Sequence, residues 1–277
     1  MGGPSPWRFL GRRRWYAETR SWLLDAYLHL LGRVPRLPLP NRRADFPLRF
    51  KGLSGPVVLR ANTTDFWVAA DIFGVGIYRP VAEIVPRAAK KILDLGGNIG
   101  LSVRLWQEYF PEAEITVVEP DDGNLAQLRK NVALGPAPEK VAVVRGFAAA
   151  EAGCAAVDRS SGAAWSYRMA QGGATGAEMV PKRAMADLVT AAGGRDGRID
   201  LLKVDVEGAE AEIFRDCGAW IQGISAMVVD MHDSYTPAAL LADLDRAGAR
   251  YRETVRGGGP WLVFVKFGGQ PVATEAG

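Results

Sequence analysis

The chain has 277 residues, 48% of them hydrophobic, and a formal net charge of +3. That is enough apolar material for one large α/β domain with a smaller lobe. No apolar run reaches about 18 residues, which excludes a transmembrane helix. The N-terminus lacks an apolar signal core, and Cys154 and Cys217 lie far apart without metal-ligand spacing. A reduced, cytoplasmic protein is expected. Charge is uneven. Residues 1–51 hold eleven Lys or Arg and three acids, a net +8 that leaves −5 for the rest. A basic arm on a mildly acidic domain points to an anionic partner or a membrane surface.

In chain order, residues 15–31 read as an amphipathic helix, with Trp15, Trp22, Leu23, Ala26, Tyr27, Leu30 and Leu31 at three- and four-residue steps. Asp25 and His29 fall on its polar side. Gly32 ends it, and Pro35, Pro38 and Pro40 make a linker. Residues 1–45 are thus an arm that either packs on the domain or a second subunit, or touches a membrane peripherally; packing is the favoured reading. Residues 46–88 read as a small lobe over the main domain. It has two short strands around Gly52–Gly55 and a helix over 66–73 behind the cap Asn62-Thr63-Thr64-Asp65.

Residues 89–270 alternate regularly. Strands are expected at 91–95, 115–119, 141–144, 199–204 and 224–229. Helices are expected at 99–109, 122–134, 182–192, 207–216 and 237–247. Residues 251–255 and 261–267 form an antiparallel hairpin across Gly257-Gly258-Gly259. Residues 150–180 are rich in Gly, Ala and Ser and suggest two ragged strands or a substrate loop. The result is an open, mostly parallel, seven-stranded α/β sheet with a C-terminal hairpin. Such sheets bind ligands beyond their C-terminal strand ends.

The first strand runs straight into Asp94-Leu95-Gly96-Gly97-Asn98-Ile99-Gly100. Glycines let the backbone approach a ligand, and a helix N-terminus offers free N–H groups. The spacing differs from the dinucleotide pattern G-x-G-x-x-G, and Asp94 suits a cationic or hydroxyl-rich ligand better than a pyrophosphate. The second strand ends in Glu119-Pro120, nineteen residues after Gly100. An acid there accepts hydrogen bonds from ribose hydroxyls. Together these residues read as an S-adenosylmethionine pocket made of Asp94, Gly96, Gly97, Asn98, Gly100, Glu119, Pro120 and Asp205. Asp94 would serve the loop and the amino-acid end, and Glu119 the ribose.

The turn at 93–100, Glu119-Pro120 and above all Asp200-Leu201-Leu202-Lys203-Val204-Asp205-Val206-Glu207-Gly208-Ala209-Glu210 resemble the FkbM-type methyltransferases. The run from Leu59-Arg60 through Asn62-Thr63-Thr64-Asp65-Phe66 to Tyr78 resembles that family's opening segment. The resemblance spans roughly 55–267 and implies the Rossmann-like class I methyltransferase fold. It also implies S-adenosylmethionine as donor, and O-methylation of a sugar, a polyketide or another secondary metabolite. Asp230 stands where the family often has Glu before its histidine.

Methyl transfer to an alcohol requires removal of the hydroxyl proton. His232 is the expected base, with Asp205 and Asp233 as charge partners and Glu207 within reach of substrate; the alternative reading is that His232 only hydrogen-bonds to the helix after Glu207. Lys203, inside a buried strand, either reaches an acid or is a lesser candidate for proton acceptor. Asp205, Asp230 and His232 are also candidate ligands for Mg2+, although metal dependence is not the favoured reading. Trp165, Tyr167 and Met169 either cap the acceptor or pack an edge strand. Two rivals stay open, a non-catalytic Rossmann-like binding protein and a nicotinamide-dependent oxidoreductase. No tetrapeptide suited to a flipped base appears, so nucleic acid is not an expected partner.

Overall fold

The computed structural model describes residues 11–33, 45–61, 63–158, 168–169, 179–232, 235–256 and 261–267. After a short 3₁₀ turn at Arg12–Trp15, α1 runs over Thr19–Arg33. Trp15 and Tyr16 precede this helix rather than belonging to it. Trp22, Leu24 and Tyr27 pack on the hydrophobic core, and Tyr16 stacks at 4.7 Å on Phe50. Backbone bonds from Ala17 to Arg49 and from Lys51 to Trp15 tie residues 15–17 to the lobe. Asp25 is not on a solvated face as expected: it is buried and paired with Arg12 at 3.2 Å. His29 lies in α1, and residues 1–10 and 34–44 of the arm are outside the described residues. No helix among the described residues is long and apolar enough to cross a membrane.

In the lobe, β1 (Asp45–Leu48) and β2 (Val57–Arg60) pair antiparallel. Then α2 (Asp65–Ala69) continues into a π-helical turn at Ala70–Val75. Asp65 does not depend on the expected cap. It takes two hydrogen bonds from the Arg60 guanidinium, each 2.9 Å, and one from the Arg60 N–H. A short helix α3 (Arg79–Ile84) leads into the main domain.

The main sheet contains β3 (Lys91–Leu95), β4 (Glu114–Glu119), β5 (Val141–Arg145), β10 (Ile199–Val204), β11 (Ile224–Asp230), β12 (Tyr251–Arg256) and β13 (Trp261–Lys266). Their order across the sheet is β12-β13-β11-β10-β3-β4-β5. The five from β5 to β11 are parallel, and β13 runs antiparallel to both neighbours. Ranked by position in this sheet, the strands read 3-2-1-4-5-7-6. The order reverses between β3 and β10, so the crevice opens where Asp94 and Lys203 lie in register.

Alternate residues of these strands feed two cores, as the two-residue strand period requires. Ile92, Val117, Leu201 and Val228 face α4 (Leu101–Tyr109) and α5 (Asp122–Ala133) through Trp106 and Leu128. Leu93, Val118, Leu202 and Val229 face α6 (Met185–Gly193), α7 (Glu210–Arg215) and α8 (Pro237–Arg246) through Leu188, Phe214 and Leu244.

Between β5 and α6 the structure departs from expectation. The chain forms β6 (Phe147–Ala149), β7 (Gly153–Asp158), β8 (Arg168–Met169) and β9 (Met179–Ala184), in the order β6-β9-β7-β8. The expected helix at 182–192 therefore begins only at Met185. Residues 179–184 are drawn into the sheet by partners some thirty residues earlier, which local pattern does not reveal. The helix expected from 207 begins at Glu210, because Glu207 and Gly208 both take positive φ, 53° and 99°.

Candidate active site

A cavity of about 490 Å3 opens at the C-terminal strand ends. Its floor is the turn after β3. Gly96 sits at φ +77°, and a Cβ there would lie 1.8 Å from the Asp205 carbonyl oxygen. Gly96→Ala is therefore expected to lose about 2–4 kcal/mol from strain and collision. Urea denaturation checks this; an alanine variant as stable as the parent contradicts the close approach.

Asn98 follows in the left-handed region at φ 47°, a conformation asparagine tolerates. Its N–H donates to Glu119 Oε2 at 2.8 Å. Its side-chain Oδ1 is buried with no hydrogen-bond donor among the described residues. That orphaned acceptor lies in the cavity wall, where a ligand donor would satisfy it.

Glu119 ends β4 as expected and lines the cavity. Besides Asn98, the Asp121 N–H at 3.0 Å and Asn124 Nδ2 at 3.2 Å donate to its Oε1. Three donors leave acceptor capacity for a ribose hydroxyl. Burial raises its pKa to about 7, against the pull of these three hydrogen bonds. The ionised form is the better acceptor. Affinity for a ribose-bearing ligand should then fall about tenfold per pH unit below 7 and level off above it. Folding stability runs the other way. The folded acid holds its proton up to about 7 and the unfolded one only to about 4.5. The contribution of Glu119 thus declines as pH rises through that window. Glu119→Gln should flatten both profiles in a titration with S-adenosylhomocysteine.

Asp94 supports the loop as expected, but it is not placed to meet the amino-acid end of a ligand. It is fully buried behind the wall and does not line the cavity. Trp106 Nε1 donates to its Oδ2 at 2.7 Å, Ser102 also bonds it, and Lys203 Nζ lies 3.3 Å from Oδ1. It supports the loop from beneath and does not touch a ligand. Lys203 Nζ donates to the carbonyls of Gly96 at 2.7 Å and Leu95 at 3.3 Å, and lies 3.4 Å from Asp205. Burial alone would lower its pKa, but Asp94 and Asp205 more than reverse that. Lys203 stays charged, so it is a clamp and not a proton acceptor.

Asp205, Glu207 and Asp230 also line the cavity, Asp205 directly against the turn at Gly96. His232 stands behind them and is not part of the wall. Its Nδ1 is 2.7 Å from Glu210 Oε1. Its Nε2 is 3.6 Å from both Glu207 Oε2 and Asp230 Oδ2. Burial disfavours the imidazolium, but the Glu210 bond and the charges of Glu207 and Asp230 outweigh it and raise the pKa to about 9. This pairing favours the imidazolium and ties the ring to the first residue of the helix that follows Glu207. Asp233, its other expected partner, lies outside the described residues, as do Trp165 and Tyr167.

Pro120 and Gly97 line the cavity as expected; Gly100 does not. Gly100 serves the turn, at φ +81° and packed on Leu128. The sequence marks the lobe as a lid over the cofactor pocket without singling out the residues Trp67, Val68, Ile72 and Ile77, which line the cavity together with Met169. The sequence reading missed Asn124. The helix start Asp121-x-x-Asn124 was a visible signal, since Asp121 caps the Asn124 N–H at 2.9 Å.

A 3-2-1-4-5-7-6 sheet, a glycine turn at its switch point and a ribose-competent acid ending its second strand define a class I S-adenosylmethionine-dependent methyltransferase. A family model described as the methyltransferase FkbM domain matches residues 94–251. The chain belongs to the FkbM methyltransferase family. No curated protein matches it in sequence. Among solved structures it is similar to methyltransferase FkbM from Methylobacillus flagellatus KT, with 14% identity and a TM-score of 0.45 over 72% of this chain and 53% of that one. It is also similar to the pyocyanin biosynthetic protein PhzM, with 14% identity and a TM-score of 0.41 over 73% and 57%. A third is Aeropyrum pernix fibrillarin, solved with natively bound S-adenosyl-L-methionine, with 13% identity and a TM-score of 0.39 over 69% and 75%. The chain thus spans little more than half the length of the first two.

Proposed function

We infer that this methyltransferase methylates a hydroxyl oxygen on an acceptor with an apolar body, of the polyketide or lipid-linked sugar kind. The observation behind this reading is the division of one cavity into two chemistries. One set of lining residues is Gly96, Gly97, Asn98, Glu119 and Pro120; the other is three carboxylates, Asp205, Glu207 and Asp230, with the apolar Trp67, Val68, Ile72 and Ile77, and the two sets adjoin where Asp205 meets Gly96.

S-adenosylmethionine fits the first set. Glu119 would hold its ribose, and Asn98 Oδ1 and the turn backbone its amino-acid portion. Val118, Phe147 and Ala148 offer an apolar slot for its base. Bound there, it supplies an electrophilic methyl group on a sulfonium.

The chain's own residues must then position an oxygen and take its proton. Trp67, Val68, Ile72 and Ile77 give an acceptor body apolar contact and keep water away. Asp205, Glu207 and Asp230 accept hydrogen bonds from hydroxyls. Glu207 takes the proton: it lines the cavity, and its backbone is held at φ 53° by the turn before α7. The O–H bond breaks toward Glu207 and the oxygen pair forms the new C–O bond. The bound donor would supply the methyl group to that oxygen and leave as the neutral thioether. Lys203 stays protonated and balances part of the carboxylate charge.

The test is incubation of an extract of the source cells with trideuteromethyl donor and the purified chain. The expected product has a trideuterated methyl ether and partitions into organic solvent. Label on nitrogen or carbon, or only in water-soluble products, contradicts the acceptor class.

A further inference from the structure

The carboxylate set of the cavity has features that proton abstraction alone leaves unexplained. Asp205, Glu207 and His232 each offer one ligand atom, all within 4.8 Å of one another. They come from three places: the residue after β10, the turn before α7, and the second residue past β11. The ring of His232 is fixed through Nδ1 by Glu210, which is fully buried. That leaves Nε2 facing the cluster, 3.6 Å from two carboxylate oxygens and too far for a hydrogen bond to either. A carboxylate holding the far nitrogen of a histidine is the support that metal-binding imidazoles use.

A second, independent observation concerns Asp230. It is buried to 7% exposure and lines the cavity, yet its Oδ1 has no hydrogen-bond donor among the described residues. Buried acceptors without donors are rare and need a partner. The nearby cations do not supply one. Lys203 Nζ is committed to Asp94, Asp205 and two loop carbonyls. Arg168, half-exposed, comes no nearer than 3.9 Å to Glu207.

We propose that Asp205, Glu207 and His232, with Asp230 beside them, form a site for a hard divalent cation at the carboxylates of the cavity. One imidazole among carboxylates suits Mn2+ or Mg2+. The cation takes the place of the proton on Nε2. It lies where the acceptor hydroxyl must arrive, and a hydroxyl coordinated to it loses its proton more readily. That last step rests on the methyl-transfer reading; the site itself does not.

The test is a titration of the full chain, stripped with EDTA, with Mn2+ followed by the resonance signal of the free ion. S-adenosylhomocysteine binding is measured on the same samples. One Mn2+ per chain is expected. Glu207→Gln and His232→Gln should each weaken it at least tenfold while S-adenosylhomocysteine still binds. Glu210→Gln, which weakens the support of the ring and keeps an acceptor for the Gly208 N–H, should weaken it about tenfold. No binding at millimolar Mn2+ overturns the site. So does binding indifferent to both Glu207→Gln and His232→Gln, which would place the ion elsewhere. Mn2+ binding without any S-adenosylhomocysteine binding would instead strike the methyltransferase reading and leave the site standing.

Discussion

Lys203→Met is expected to destabilise the protein by about 3–5 kcal/mol and to abolish cofactor binding. The substitution keeps an unbranched apolar stem, one atom shorter, and removes the charge and the donors. Asp94 is then a fully buried carboxylate without its counter-ion, 3.3 Å from where the ammonium stood. The Gly96 and Leu95 carbonyls lose their donor as well. A buried charge stripped of its partner costs far more than the intact pair contributes. A second variant isolates that cause. Asp94→Asn combined with Lys203→Met removes both charges and should recover part of the loss, because Asn keeps an acceptor for Trp106. Urea denaturation of the two variants measures the difference. A single variant within 1 kcal/mol of the parent would mean that the loop does not depend on this clamp.

Glu207→Gln is expected to lower kcat by about 10²- to 10⁴-fold, the usual contribution of a positioned proton acceptor. Affinity for S-adenosylhomocysteine should stay within threefold, because Glu207 belongs to the carboxylate set and not to the Glu119 set. The amide is nearly isosteric and keeps one acceptor oxygen, so the acceptor site keeps its shape. The turn before α7 is set by the backbone of Glu207 and Gly208 and should survive. A variant with unchanged kcat would remove Glu207 from the chemistry. One that fails to bind S-adenosylhomocysteine would show that the two sets of lining residues are not separable.

The sequence was most legible where function follows from a local pattern. A strand, a glycine turn and a helix start are contiguous, so Gly96, Gly97 and Asn98 could be placed from their order alone. Glu119 could be placed because the acid ending the next parallel strand must lie beside that turn. Roles that depend on register were not legible. Asp94 reads as both a loop support and a ligand-facing acid until β10 is laid beside β3, which brings Lys203 level with it and closes Trp106 over it. A lysine inside an apolar strand was the available signal, since such a residue needs a buried acid. The sequence leaves His232 between a base and a bond to the helix after Glu207, and Glu210, 2.7 Å away, supplies that bond. Twenty-two residues separate them in the chain, and two strand-end turns bring them together. The glycine- and alanine-rich stretch after β5 has little periodicity, and its strands pair with distant partners. The apolar wall over the cavity belongs to α2 and the π-helical turn after it. Its residues look like ordinary core from the sequence, because a helix that covers a ligand and one that covers a sheet bury the same kinds of side chain.

The most direct measurement is a calorimetric titration of the full chain with S-adenosylhomocysteine and, separately, with NAD+. One S-adenosylhomocysteine per chain is predicted, weakened at least tenfold by Glu119→Gln, with no binding of NAD+. Preference for NAD+, or S-adenosylhomocysteine binding indifferent to Glu119, would contradict a methyl-donor pocket built on the end of β4.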